Sequence, residues 1–268
     1  MDLIQVIILG IVEGLTEFLP VSSTGHMILA QAFMGIESSE FVKAFTVIIQ
    51  FGAILSVMVI YWKRFLTSWA FYLKLLVGVI PALALGYLLN DYIDALLGSV
   101  WVVASMLLIG GIVMLYIDKW FQARELEKDV TIKNAFIIGL FQCIAMIPGV
   151  SRSLATIVGG LQQGLTRKTA AEFSFLLAVP TMFAASSYKV LQMVMSPGGT
   201  TVLADNMVAL LVGCLISFIV AIFAIKGFVK FVASHTFKVF GYYRIVVGLV
   251  VLALLAACVD LSSLLYIN

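Results

Sequence analysis

"EGLTEFLPVSSTGH", residues 13–26, places two glutamates, a run of hydroxyls and a histidine inside an otherwise apolar chain. The stretch lies in the middle of a hydrophobic segment, 3–35, which "LPVSSTG" (19–25) interrupts before either half is long enough to span a bilayer. A second such segment, 134–164, is broken by "IPGVSRS" (147–153). Proline removes a helical hydrogen bond and frees backbone groups, and inside a membrane those groups must be satisfied by protein or enclosed water. Two broken segments at matching places in two halves predict re-entrant helical hairpins whose tips meet inside the protein.

The surrounding composition fixes the solvent. Hydrophobic residues make up 63% and charged residues 11% of the 268 residues, and the mean hydropathy is +1.15, far from a soluble domain. Six full spans are expected at about 41–62, 70–89, 99–117, 170–195, 206–225 and 243–259. The expected fold is therefore all-α and polytopic: six transmembrane helices plus two re-entrant hairpins in one membrane domain, 1–268. Met1–Gly10 lacks the basic start of a cleavable signal. Cys143, Cys214 and Cys258 stand singly in apolar stretches and read as packing residues. A formal charge of +2 gives no argument for nucleic acid.

Basic residues cluster around Lys63, Arg64 and Lys74, around Lys119, Arg124, Lys128 and Lys133, and from Lys226 through Lys230 and Lys238 to Arg244, which assigns these segments to the cytoplasm. The alternating loops hold Asp91, Asp94, Asp205 and Asp260 without lysine or arginine and face outward. On this count the first hairpin enters from outside and the second from the cytoplasm. Lys43 and Lys189 fall on the disfavoured side, and snorkelling accommodates them only near span ends.

Shifting the sequence by 129 residues lays Gly10 on Gly139, Glu13 on Gln142, Val21 on Val150, Ser22 on Ser151 and Gly35 on Gly164. The expected organisation is repeat 1 at about 1–117, a cytoplasmic loop at about 118–133 and an inverted repeat 2 at about 134–268, since an odd number of spans per repeat turns the second copy over. The copies differ where chemistry would sit: Glu17 aligns with Met146 and Ser23 with Arg152. One site built from both tips follows.

Glu13 and Glu17, spaced i, i+4, project from one helix face toward the break. Paired carboxylates suit a hard cation, Mg²⁺ or Ca²⁺, that also holds phosphate oxygens. Arg152 offers a permanently charged planar fork, the usual partner of phosphate. Ser22, Ser23, Thr24, Ser151, Ser153 and Thr156 add hydroxyls, and Gly25 and Gly149 let backbone N–H groups approach an anion. The helices after each break would aim positive N-termini at the same point.

Plainer readings compete. Intramembrane hydroxyls are more often interhelical partners, which is preferred for Thr16 and Thr24. Pro81, Pro180, Gly110 and Gly111 read as packing residues, and His235 as solvated among basic neighbours. His26 differs because it lies one helical turn after Ser23. Glu17 and Arg152 are functional by default, since intramembrane charge costs at least ~2.5 kcal/mol on insertion scales. Gln50, Asp91, Asp94 and Glu172 receive no role.

"EGLTEFLPVSSTGH" with "PGVSRSLAT" resembles the signatures of the integral-membrane undecaprenyl-diphosphate phosphatases of the bacitracin-resistance type, in order, at the expected separation and over essentially the whole chain. Leu154 stands where many members carry glycine. The resemblance implies removal of the terminal phosphate of undecaprenyl diphosphate in the bacterial cytoplasmic (inner) membrane, recycling a lipid carrier for cell-wall polymers, with the site open to the periplasmic or extracellular side. It implies Glu17, Ser23, His26 and Arg152 as catalytic residues. Ser22, Gly149, Ser151, Ser153 and Thr156 would bind substrate, and Glu13 with Glu17 would hold the divalent cation. The partners implied are a prenyl diphosphate lipid and membrane lipids, with a homodimer left open. Attack by Ser23, with His26 or Glu17 taking its proton, and attack by an activated water both remain open. A secondary transporter or lipid flippase is the alternative. A type-2 phosphatidic-acid phosphatase is set aside, because Arg152 precedes serine and no histidine follows it until His235.

Overall fold

The computed structural model describes residues 1–37, 39–89, 92, 96, 99–121 and 129–257, and among these no strand occurs. The charge assignments on Asp91, Asp94, Arg124, Lys128 and Asp260, and the packing role of Cys258, lie outside the described residues. In chain order the helices are α1 (Leu3–Thr16), α2 (Ser23–Phe33), α3 (Glu40–Ile48), α4 (Gln50–Ile60), α5 (Trp62–Phe65), α6 (Trp69–Leu88) and α7 (Val100–Trp120). They continue with α8 (Ile132–Ile144), α9 (Arg152–Gln162), α10 (Arg167–Met195), α11 (Gly199–Asp205), α12 (Met207–Ser234) and α13 (Lys238–Ala256). Six stretches are long and apolar enough to cross a bilayer: Glu40–Ile60, Trp69–Leu88, Val100–Trp120, Arg167–Met195, Met207–Ser234 and Lys238–Ala256. The protein is a multi-pass all-α membrane protein.

The two broken segments are α1–break–α2 and α8–break–α9, and in each the arms pack on one another. Their registers agree at an offset of 129. Asp2 and Gln5 form a capping box ahead of α1, as Thr131 and Asn134 do ahead of α8. Ser22 caps α2 and Ser151 caps α9. Gly35 and Gly164 end the second arms with positive φ.

Packing crosses between the halves. α1 lies on α12, and α8 lies on α6. In both pairs small residues allow close approach: a methyl on Gly10 would meet the Gly213 carbonyl, and one on Gly139 would run into Gly78. α7 packs on α13 through Gly111 and Gly241. The main core draws on both halves, with Phe18 edge-on to Phe175 at 5.3 Å.

Two departures from the sequence reading concern charge. α12 continues to Ser234, so Lys226 and Lys230 are exposed on a helix rather than in a loop. Arg244, assigned above to a cytoplasmic basic segment, sits inside α13 and is fully buried. The clustering rule counts basic residues near span ends and cannot see which way a helical side chain points. Lys43 pairs with Glu40 at 3.0 Å in the first turn of α3. At one end of the bundle Asp118 of α7 binds Arg167 of α10 at 2.7 Å and accepts from the Phe237 N–H at 3.0 Å.

Candidate active site

Both breaks end in an N-cap serine, by different backbone routes. Ser22 carries φ +73°, the one positive φ at a non-glycine position among the described residues, whereas Ser151 is extended at φ −63°. At the second tip the positive φ belongs to Gly149 (+89°), where a methyl would also press on the Val103 carbonyl at 2.5 Å. These turns bring the starts of α2 and α9 to a common cavity of about 150 Å³, lined by Glu17, Ser22, Ser23, Thr24, Ser151 and Arg152 among others. It has room for a phosphoryl group and waters.

Glu17 and Arg152, 135 positions apart, form an ion pair at 2.9 Å. The other Glu17 oxygen accepts from the Ser23 hydroxyl at 2.5 Å. Nη1 of Arg152 donates to the Ser174 carbonyl at 2.9 Å, and its guanidinium lies 5.8 Å from the Phe18 ring centroid. Its Nε is buried without an acceptor. Such a donor is costly unless a ligand oxygen meets it.

The tips are also tied behind the cavity. Ser153 donates to the Leu19 carbonyl at 2.8 Å, and the Ser151 hydroxyl reaches Ser153 at 2.8 Å. Thr156 bonds the Arg152 carbonyl at 2.9 Å and the Ser174 hydroxyl at 2.6 Å. Ser153, Thr156 and Gly149 are not among the cavity-lining residues. Ser153 ties α9 to the first break, Thr156 ties it to Ser174 of α10, and Gly149 turns the chain within the second break.

His26 does not reach toward Ser23. Its Nδ1 donates to the Ser22 carbonyl at 2.8 Å, which in the neutral ring makes Nε2 the acceptor for Tyr243 Oη at 2.7 Å. The rings stack with centroids 5.5 Å apart. The Ser23 hydroxyl thus has Glu17, not His26, as its hydrogen-bond acceptor.

Glu13 is 1% exposed, and its Oε1 has no hydrogen-bond partner. A buried carboxylate oxygen in that state calls for a proton or a cation. Among the described residues no group of three or more histidine, cysteine or acidic side chains could hold a metal. Glu13 Oε1 is the carboxylate oxygen open to a cation that keeps its waters and takes phosphate oxygens, while both Glu17 oxygens accept from Arg152 and Ser23.

Sequence reasoning gave no role to Ser174, Tyr243 or Gln50, and it assigned Thr24 to interhelical bonding, although Gln50 and Thr24 line the cavity. Only Arg244 carried a signal, an arginine inside the apolar run 239–257.

The chain has relatives along almost its whole length. A family model described as "Bacitracin resistance protein BacA" matches residues 6–250. A Bdellovibrio bacteriovorus protein is 54% identical over 267 residues, covering 98% of this chain and 99% of its own length. Relatives from Porphyromonas gingivalis (51% over 281 residues, 98% and 100% covered) and Aquifex aeolicus (44% over 250 residues, 92% and 96% covered) are similar along almost their whole length. All three bear the name undecaprenyl-diphosphatase.

Proposed function

As the chain belongs to the family of the bacitracin resistance protein BacA, we infer that it is an undecaprenyl-diphosphatase, converting undecaprenyl diphosphate to undecaprenyl phosphate and inorganic phosphate. The observation that carries the reading is one carboxylate, Glu17, shared at hydrogen-bonding distance by Arg152 from the opposite tip and by the Ser23 hydroxyl. A transporter has no need of a serine poised on a base, and the relatives' names do not favour one.

Arg152 and the free N–H groups at the starts of α2 and α9 bind the diphosphate, where aligned helix dipoles favour negative charge. Ser23 Oγ attacks the terminal phosphorus as Glu17 takes its proton. The bond from phosphorus to the bridging oxygen breaks, and undecaprenyl phosphate leaves. Water then attacks the phosphoserine, releasing phosphate and restoring the hydroxyl. Glu13 and Glu17 would hold a divalent cation, whose chemistry there is neutralisation of phosphate charge. His26 orders the first turn of α2 through Ser22.

Two repeats, 1–117 and 134–268, are part of this proposal, supported by the shared 129-residue register of caps and breaks. So are hairpins entering from opposite leaflets, residence in the bacterial inner membrane with the mouth on the periplasmic face, and a homodimer; the lysine and arginine distribution supports the orientation. The test is phosphate release from undecaprenyl diphosphate in detergent, with Glu17→Gln and Arg152→Ala beside the wild type. Retained activity in both variants removes the site. Phosphoserine trapping tests the nucleophile, and full activity in Ser23→Ala rules it out.

A further inference from the structure

The guanidinium of Arg244 is enclosed by backbone carbonyls. Nη1 donates to Pro20 at 3.1 Å, Nη2 to Gly149 at 2.9 Å and to Met106 at 3.0 Å, and Nε to Leu107 at 3.3 Å. Pro20 and Gly149 occupy the same position in the two broken segments, 129 residues apart. A single planar fork thus holds both copies of one carbonyl, and α13 supplies it from outside either tip. No carboxylate among the described residues forms an ion pair with Arg244. A buried cation without a counter-charge is expensive, so hydrophobic packing alone gives no reason for an arginine here. Its neighbour Tyr243 holds His26.

We propose that Arg244 is the positioning residue that fixes the two tips against each other, setting the spacing across which Glu17 and Arg152 meet. It is not among the residues lining the cavity, so it acts through the residues that are. An ammonium keeps the charge but, with three donors on one nitrogen, cannot replace a rigid fork whose Nε, Nη1 and Nη2 reach four separate carbonyls. A second handle exists in Gly110 of α7, where an added methyl would run into Nη2 of Arg244 and displace the fork without altering it. Gly227 faces open space and serves as the control.

The proposal rests on the diphosphatase reading, and both are tested on the full chain in detergent by phosphate release from undecaprenyl diphosphate. Since roughly 1 Å of misplacement costs about 100-fold in rate, Arg244→Lys and Gly110→Ala should each lower kcat by about that factor. KM should stay within about threefold because the phosphate-contacting groups remain. The fall in kcat per folded molecule should persist at temperatures well below each variant's melting point, Gly227→Ala should match wild type, and millimolar guanidinium, but not ammonium, should restore part of the activity of Arg244→Ala. Wild-type kcat in either Arg244→Lys or Gly110→Ala overturns the proposal. So does a loss that only follows the unfolded fraction, or a KM that rises in step with the fall in kcat. If the arginine variants do not fold, Gly110→Ala decides. An inactive wild type would instead sink the diphosphatase reading.

Discussion

The first broken segment and the second share their caps and the position of their break, and differ in the backbone at the tip and in charge. Both begin with a capping box, break at the same offset and restart on an N-cap serine. Where the first has Glu13, Glu17 and Ser23, the second has Gln142, Met146 and Arg152. The two helix N-termini meet at one cavity, and a few differing side chains give that cavity a carboxylate from one tip and its paired cation from the other. The shared register of caps brings the tips together, and the side chains that differ set their charge.

The severest break in that comparison is to make the tips alike. Arg152→Ala leaves Glu17 buried without its partner and the phosphate without its fork, and kcat should fall by about 10²–10³-fold or more in the phosphate-release assay. Glu17→Gln removes the acceptor of the Ser23 proton and should lose a comparable factor, about 10²–10⁴-fold. Either variant within tenfold of wild type would show that the paired charges do not carry the reaction. Glu13→Gln reproduces on tip one the residue found at Gln142 and should cost less, about 10–100-fold, with a weakened response to added divalent cation. An unchanged cation titration would remove Glu13 from the cation site.

Much of this architecture is legible in the sequence because its physical signals are strong. Span length and apolarity give the six spans, and proline with glycine gives the breaks. The 129-residue register gives the correspondence of Ser22 with Ser151 before any coordinate is consulted. What is not legible is direction and distant partnership. Arg244 lies close enough to Lys238 to be counted with the cytoplasmic charges, yet its helix turns it inward to Pro20 and Gly149. His26 is one turn from Ser23 in sequence, but its ring is taken by Tyr243, 217 positions away. Thr24 and Gln50 line the cavity, and nothing in a single sequence separates a hydroxyl or amide facing a cavity from one facing a neighbouring helix.

The His26 partnership gives a smaller effect. Tyr243→Phe removes one hydrogen bond while keeping the ring stack, so kcat should drop less than about tenfold. A loss equal to that of Glu17→Gln would return His26 and Tyr243 to the chemical step.

The smallest expected effect is the most specific to the comparison, because it changes sign between the tips. Ser22 holds a left-handed backbone, which costs an L-residue about 1–2 kcal/mol. Ser22→Gly removes that cost and gives up a cap bond that is long at 3.5 Å. Glycine is itself a tolerated N-cap, within a few tenths of a kcal/mol of serine. Ser151 has no such strain at φ −63°, caps Leu154 at 3.3 Å and bonds Ser153. Ser151→Gly therefore adds backbone entropy and loses a hydrogen bond, together about 1–2 kcal/mol. Thermal unfolding in detergent should show Ser22→Gly at or above the wild-type melting temperature and Ser151→Gly below it. Shifts of the same sign would mean that the two breaks are not held in different backbone states.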